Sequence, residues 1–213
     1  LPIYITHPPF PRSWRDRSQL YLRYVPILLL AAIPVGYMSV AIAGVASAYT
    51  PVPFWDMWDD YIRMYPVLLE GRWQDYFLHQ ANEHRLILSM PLFALDLSLF
   101  HGTGQLLFAW NLMLMLGLWL ALAALAKQLF RDRDQLWLIV ACGIAAPALS
   151  WLHEGNLTWA FQGQFFFAYL VPLLAFTTLA IALTDPRPAW FAVARSEEHT
   201  SELQSLAYLV CRL

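Results

Sequence analysis

The chain has 213 residues, of which 59% are hydrophobic, 15% aromatic and only 13% charged, with a formal net charge of −2. A soluble domain carries about 25% charged residues, so this chain has too little polar surface to cover a globule, and its natural solvent is lipid. A near-neutral charge without a basic run excludes a nucleic-acid footprint, and two cysteines without metal-type spacing exclude a disulfide framework.

Residues 1–23 carry Arg12, Arg15, Arg17 and Arg23. They precede a first apolar, uncharged stretch, residues 24–48, which has the ~20 residues needed to cross ~30 Å of hydrocarbon. Pro51 and Pro53 then stop the span, since proline lacks a donor and blocks helix continuation.

The stretch FWDMWDDYIRMY (54–65) follows. A new helix is expected to start near Trp55. In an α-helix Asp56, Asp59 and Asp60 would stand at i, i+3 and i+4 on one face, with Arg63 able to neutralise one of them. Trp55, Trp58, Tyr61, Met64 and Tyr65 would form an apolar side at the headgroup level, where Trp and Tyr concentrate. One reading is an interfacial helix whose acids only face water. The sharper reading is that three acids near an anionic surface await a cation, either an arginine or a divalent metal such as Mg or Mn.

Next comes the polar run HQANEHR. On a helix His79 and Glu83 would share a face. Glu83 could set the tautomer of a nearby imidazole or bind metal, His84 is an acid–base candidate, and the Arg85 fork suits a phosphate. Against this stands the plainer reading of snorkelling residues at a helix start. There is no HExxH or other strong metal spacing, so the metal stays unknown. Residues 86–100 are apolar but only about fifteen long, and Pro91 and Asp96 interrupt them. Such a length suits an interfacial or re-entrant segment, and a charge at mid-membrane costs ~2.5–3.5 kcal/mol on insertion scales.

Three further spans are expected at 106–126, 136–151 and 165–184. Lys127, Arg131 and Arg133 lie between the first two of these, and Arg187 follows the last. Cys142 sits inside an apolar span and reads as a small core residue. Asn111 and Asp96 read as polar residues that pair with neighbours. The run HEGNLTWAFQGQ (153–164) offers His153, Glu154, Asn156, Trp159, Gln162 and Gln164, whose amides and indole N–H suit sugar hydroxyls. Asn156-Leu157-Thr158 matches the N-glycosylation pattern, read as coincidence in a chain of bacterial character.

The positive-inside rule orients these pieces. If all basic segments face the cytoplasm, 49–105 is an external loop, 86–100 does not cross, and 153–164 is external too. Were 86–100 to cross, the Lys127–Asp134 loop would land outside, against the rule. The organisation expected is therefore a cytoplasmic segment 1–23, an all-α polytopic membrane bundle over 24–184, and a cytoplasmic segment 185–194. From Arg195 the chain reads RSEEHTSELQS, which resembles a translated sequencing adapter, and the composition breaks there. Residues 195–213, including Cys211, are set aside as an artefact. The expectation is an N-terminal fragment whose natural sequence continues differently after Ala194; the leading Leu1, without Met, hints at an incomplete start as well.

These residues carry a resemblance. Asp56-Met57-Trp58-Asp59, Asn82-Glu83-His84-Arg85 and Trp159-Ala160-Phe161-Gln162-Gly163-Gln164-Phe165 resemble the D-x-W-D, N-E-H-R and W-x-F-Q-x-Q-F runs of uncharacterised bacterial membrane proteins. Those are similar to the amino-terminal module of multi-spanning GT-C-type glycosyltransferases, over about residues 24–184. The resemblance implies juxtamembrane helices in the first external loop and a polyprenyl-phosphate sugar donor. It implies a location in the bacterial inner membrane and a catalytic base at Asp56, or less readily Asp59. Asn82, Glu83, His84, Arg85, His153, Glu154, Asn156, Trp159 and Gln162 would then contact substrate. The chemistry needs a base for the acceptor hydroxyl and positive charge for the departing phosphate. The competing class is a non-enzymatic polytopic protein, either a transporter module or a scaffold. Transporters place their polar groups at mid-membrane, whereas here they gather at one interface.

Overall fold

The computed structural model describes residues 14–81, 84–133 and 135–184. The tail from Arg195, and Asn82 and Glu83 of the second polar run, lie outside the described residues. The fold is all-α apart from one two-residue strand pair. Helix α1 runs Trp14–Ala48, α5 Gln105–Leu129, α6 Leu136–Leu149 and α8 Gly163–Thr184. Between α1 and α5 lie a wide π-type turn (Met57–Ile62), the short helices α2 (Tyr65–Leu69) and α3 (Trp73–Phe77), a hairpin of β1 (Gln80–Ala81) and β2 (His84–Arg85), and α4 (Met90–Leu99). Helix α7 (Glu154–Thr158) sits between α6 and α8.

Among the described residues four stretches are long and apolar enough to cross a membrane: Val25–Ala48, Gln105–Leu129, Leu136–Thr158 and Ala160–Leu183. The chain is a multi-pass membrane protein by this criterion. Helix α4, ten residues long, extends only ~15 Å at 1.5 Å per residue, half of a ~30 Å hydrocarbon core. Helix α6 breaks at Ser150, whose hydroxyl accepts the Leu152 N–H, and the chain continues through a 3₁₀ turn into α7. Pro26, Pro34, Pro147 and Pro172 lie inside the long helices, which membrane helices tolerate.

Helix α5 is the centre of the bundle, with α6 and α8 packed along it and α1 on α6. Small residues allow the close approach of α1 and α6: Ala41 and Ala145 are fully buried, and the Trp151 indole lies directly on Gly44, where a Cβ would overlap the ring. Trp119 Nε1–H donates to the Ala141 carbonyl across α5 and α6 at 2.9 Å. Only 11% of the apolar window of α1 and 17% of that of α8 is buried, so both helices turn their greasy surfaces outward, as lipid requires.

The segment between α1 and α5 has a small core of its own. Met57, Tyr61, Leu68, Tyr76, Met90, Phe93 and Leu97 are all buried. A chain of rings ties this core to the turn before α8. Tyr61 meets Phe93 at 5.4 Å, Phe93 stacks on Phe161 at 5.2 Å, and Phe161 lies 6.1 Å from Trp159. The 49–105 segment and the 150–162 segment therefore share one end of the bundle.

Candidate functional site

The acids of the first polar run do not share a face. Backbone bonds here are of mixed span, with the Asp60 N–H on the Asp56 carbonyl (2.8 Å) and the Arg63 N–H on the Trp58 carbonyl five residues back (3.0 Å). This wider turn rotates neighbours away from α-helical spacing. Asp59 is exposed and pairs with Arg63 at 3.3 Å. Asp60 is 5% exposed and its Oδ1 lies 3.0 Å from His79 Nε2. Asp56 is half-buried at the turn's start. The apolar residues divide as well: Tyr61 is buried, while Trp55 and Trp58 stand 69% and 54% exposed. Trp55 has φ of +49°, a conformation rarely taken by a bulky residue.

The second run is a hairpin, not a helix start. Gln80 pairs with Arg85 and Ala81 with His84 in antiparallel register. His79 lies beyond the end of α3 at Phe77 and is not on a helix, while Glu83, its expected partner on a helical face, lies outside the described residues. Of His84 and Arg85 only the backbone is described.

In the third run His153 donates Nε2–H to the Pro147 carbonyl at 2.8 Å, occupying an acceptor left open where α6 breaks. Glu154 is exposed at the start of α7, and its carbonyl accepts from Thr158 Oγ1. The Asn156 and Trp159 carbonyls lie 3.2 and 3.4 Å from Asn111 Nδ2, and the Ala160 carbonyl is also 3.4 Å from it. Gln162 is 6% exposed. Trp159 Nε1, Asn111 Oδ1 and Gln164 Oε1 are buried without a partner.

The fold brings the three runs to one rim. Trp55 and Phe54 each meet Trp159 at 5.8 Å, joining the first run to the third, and the Asp60–His79 bond joins the first to the edge of the second. Phe54, Met57, Thr103, Thr158 and Trp159 line a small cleft that is partly open to solvent. Among the described residues no three Asp, Glu, His or Cys side chains converge as a metal site would need. Asp59 and Asp60 diverge toward separate partners. Asp59 and Asp60 therefore do not offer a shared ligand set to a divalent cation.

Two residues outside the expected site hold the rim in shape. Asp96 is fully buried. It accepts the backbone N–H groups of Gly104 (2.9 Å) and Leu106 (3.0 Å), together with the Tyr61 hydroxyl. It thus caps α5 from a distance, meeting donors that a helix start otherwise leaves open. Gly104 itself has φ of +74°, in the left-handed region. Asn111, 1% exposed, secures the 156–160 turn.

Burial pushes the Tyr61 hydroxyl far above the ordinary phenol range, and its hydrogen bond with Asp96 and that residue's charge act in the same direction. Burial alone raises Tyr76. Both keep their protons in the folded state at pH values where the unfolded chain loses them, above ~10. The stability they contribute is complete below that pH and falls as pH rises, because the folded state then binds more protons than the unfolded. Stability in detergent should therefore decline above pH ~10, by up to ~1.4 kcal/mol per pH unit for each tyrosine. Tyr76→Phe should make the decline shallower; an unchanged slope would contradict this assignment.

Comparison with protein-family models, with curated proteins and with solved structures gave no match in any of the three.

Proposed function

We propose that the chain works as a membrane glycosyltransferase of GT-C type. It would move a sugar from a polyprenyl-phosphate carrier to an acceptor hydroxyl on the extracytoplasmic side of a bacterial inner membrane. One observation carries the reading. The segments bearing the first and third family-like runs meet at one end of a bundle of membrane-length helices through Trp55–Trp159, and the Asp60–His79 bond holds the chain just before the second run beside the first. A donor whose chain lies in the bilayer needs its site at the membrane surface. An acidic, aromatic loop directly after a span meets that need. The polar groups buried between the long helices support the same view: Asn111 serves the rim, and Thr177 bonds its own helix at Leu173. A transporter would instead cluster polar groups at mid-membrane.

The test is sugar transfer by the protein reconstituted in proteoliposomes with a polyprenyl-phosphate-linked sugar and a water-soluble acceptor. The expected result is time-dependent release of free polyprenyl phosphate with labelled sugar on the acceptor. If the carrier stays loaded across hexose and pentose donors while a flux assay detects solute movement, the transporter alternative replaces this reading.

A further inference from the structure

The Asp60–His79 pair has no part in the expected site, yet it is the best-built acid–base unit among the described residues. Asp60 is 5% exposed, and a buried charge is costly unless paired and hydrogen-bonded. Its partner is the imidazole, at 3.0 Å. A carboxylate only accepts, so the imidazole Nε2 carries hydrogen in this bond, and in the neutral ring the lone pair then lies on Nδ1. The two residues come from different pieces of chain. Asp60 sits in the turn 57–62, while His79 follows α3 with its backbone N–H on the Tyr76 carbonyl. The fold therefore fixes the ring from outside, as a base and its orienting group require. The His79 side chain keeps 21% of its surface open.

The other described candidates are engaged differently. Asp59 pairs with Arg63 in water, and His153 spends its Nε2–H on a helix carbonyl.

We propose that His79, oriented by Asp60, accepts the proton of a hydroxyl-bearing substrate at this rim. The inference rests on the glycosyl-transfer reading and gives the base role to His79 in place of Asp56. As the acceptor oxygen attacks the anomeric carbon, its proton passes to His79 Nδ1. The bond from that carbon to the carrier phosphate breaks, its electron pair leaves with the phosphate, and the imidazolium later returns its proton to water. Asp60 is the positioning residue.

Two arms on the full chain test this. In the first, diethyl pyrocarbonate acylates imidazoles through the free ring nitrogen, and peptide mass spectrometry gives the rate at His79, with exposed His101 as internal reference. Asp60→Asn, which keeps the shape but removes the charge that fixes the ring's hydrogen on Nε2, should slow acylation of His79 and leave His101 unchanged. Equal rates in both proteins overturn the pair. In the second arm, His79→Gln should cut kcat for sugar transfer by ~10²–10⁴-fold with KM within a few-fold, Asp60→Asn by ~10–100-fold, and His101→Gln should match the unmodified protein. Loss on Asp56→Asn with His79→Gln unaffected overturns the assignment and returns the role to Asp56. Slowed acylation of His79 in Asp60→Asn, together with no sugar transfer by the unmodified protein, supports the proton-accepting pair and removes the glycosyl-transfer reading, so the two failures are distinguishable.

Discussion

Asp96→Ala is expected to lower stability by about 3–5 kcal/mol, measured by titrating denaturing detergent into mild-detergent micelles. The substitution strands three donors at once: the Gly104 and Leu106 N–H groups and the Tyr61 hydroxyl. Each unmet buried donor costs ~1–3 kcal/mol, and the costs overlap because the groups share one partner. Asp96→Asn keeps one acceptor oxygen and the volume, so it should cost less, about 1–2 kcal/mol. Because Tyr61 packs on Phe93 and Phe93 on Phe161, the damage should spread to the 150–162 turn and show as faster proteolysis there. A loss below ~0.5 kcal/mol, the range of a neutral surface change, would mean that Asp96 does not cap α5.

The second large effect is expected at Asn111. Its Nδ2 faces the carbonyls of Asn156, Trp159 and Ala160. Asn111→Ala should cost about 1–2 kcal/mol, near the upper end for polar contacts between membrane helices. Asn111→Asp should cost more, about 3 kcal/mol or above, since an oxygen then faces three acceptors in a dry site. The other side of the amide gives an independent check. A Cβ on Gly163 would lie 2.9 Å from Asn111 Oδ1, so Gly163→Ala should displace the amide and destabilise the same turn. If Asn111→Asp is no worse than Asn111→Ala, the amide does not face those carbonyls.

The long helices were legible because hydrocarbon sets their length and composition. A window of some twenty uncharged apolar residues has few alternatives. The pairing of Asp96 and Asn111 with neighbours was legible for a related reason, since polar groups among apolar ones must find partners. The rim was less so. Spacing of i, i+3 and i+4 put Asp56, Asp59 and Asp60 on one face only if the turn were α-helical. A wider turn separates Asp59 from Asp60, sending one to water and one to His79. That bond spans nineteen positions, so no local pattern announces it. The hairpin at 80–85 defeated helical reasoning too. HQANEHR contains residues that would serve a helix, and only the end of α3 and the return into α4 decide that it reverses instead.

The shared rim requires the 49–105 and 150–162 segments to face the same side of the bilayer. Single cysteines at Glu70, Asn156 and Arg131, each in a Cys142→Ala, Cys211→Ala background, can be probed with a membrane-impermeant thiol reagent added to intact cells. Glu70→Cys and Asn156→Cys should both label from outside, and Arg131→Cys only after the cells are opened. Labelling of Glu70→Cys and Asn156→Cys from opposite sides would contradict the shared rim and every assignment built on it.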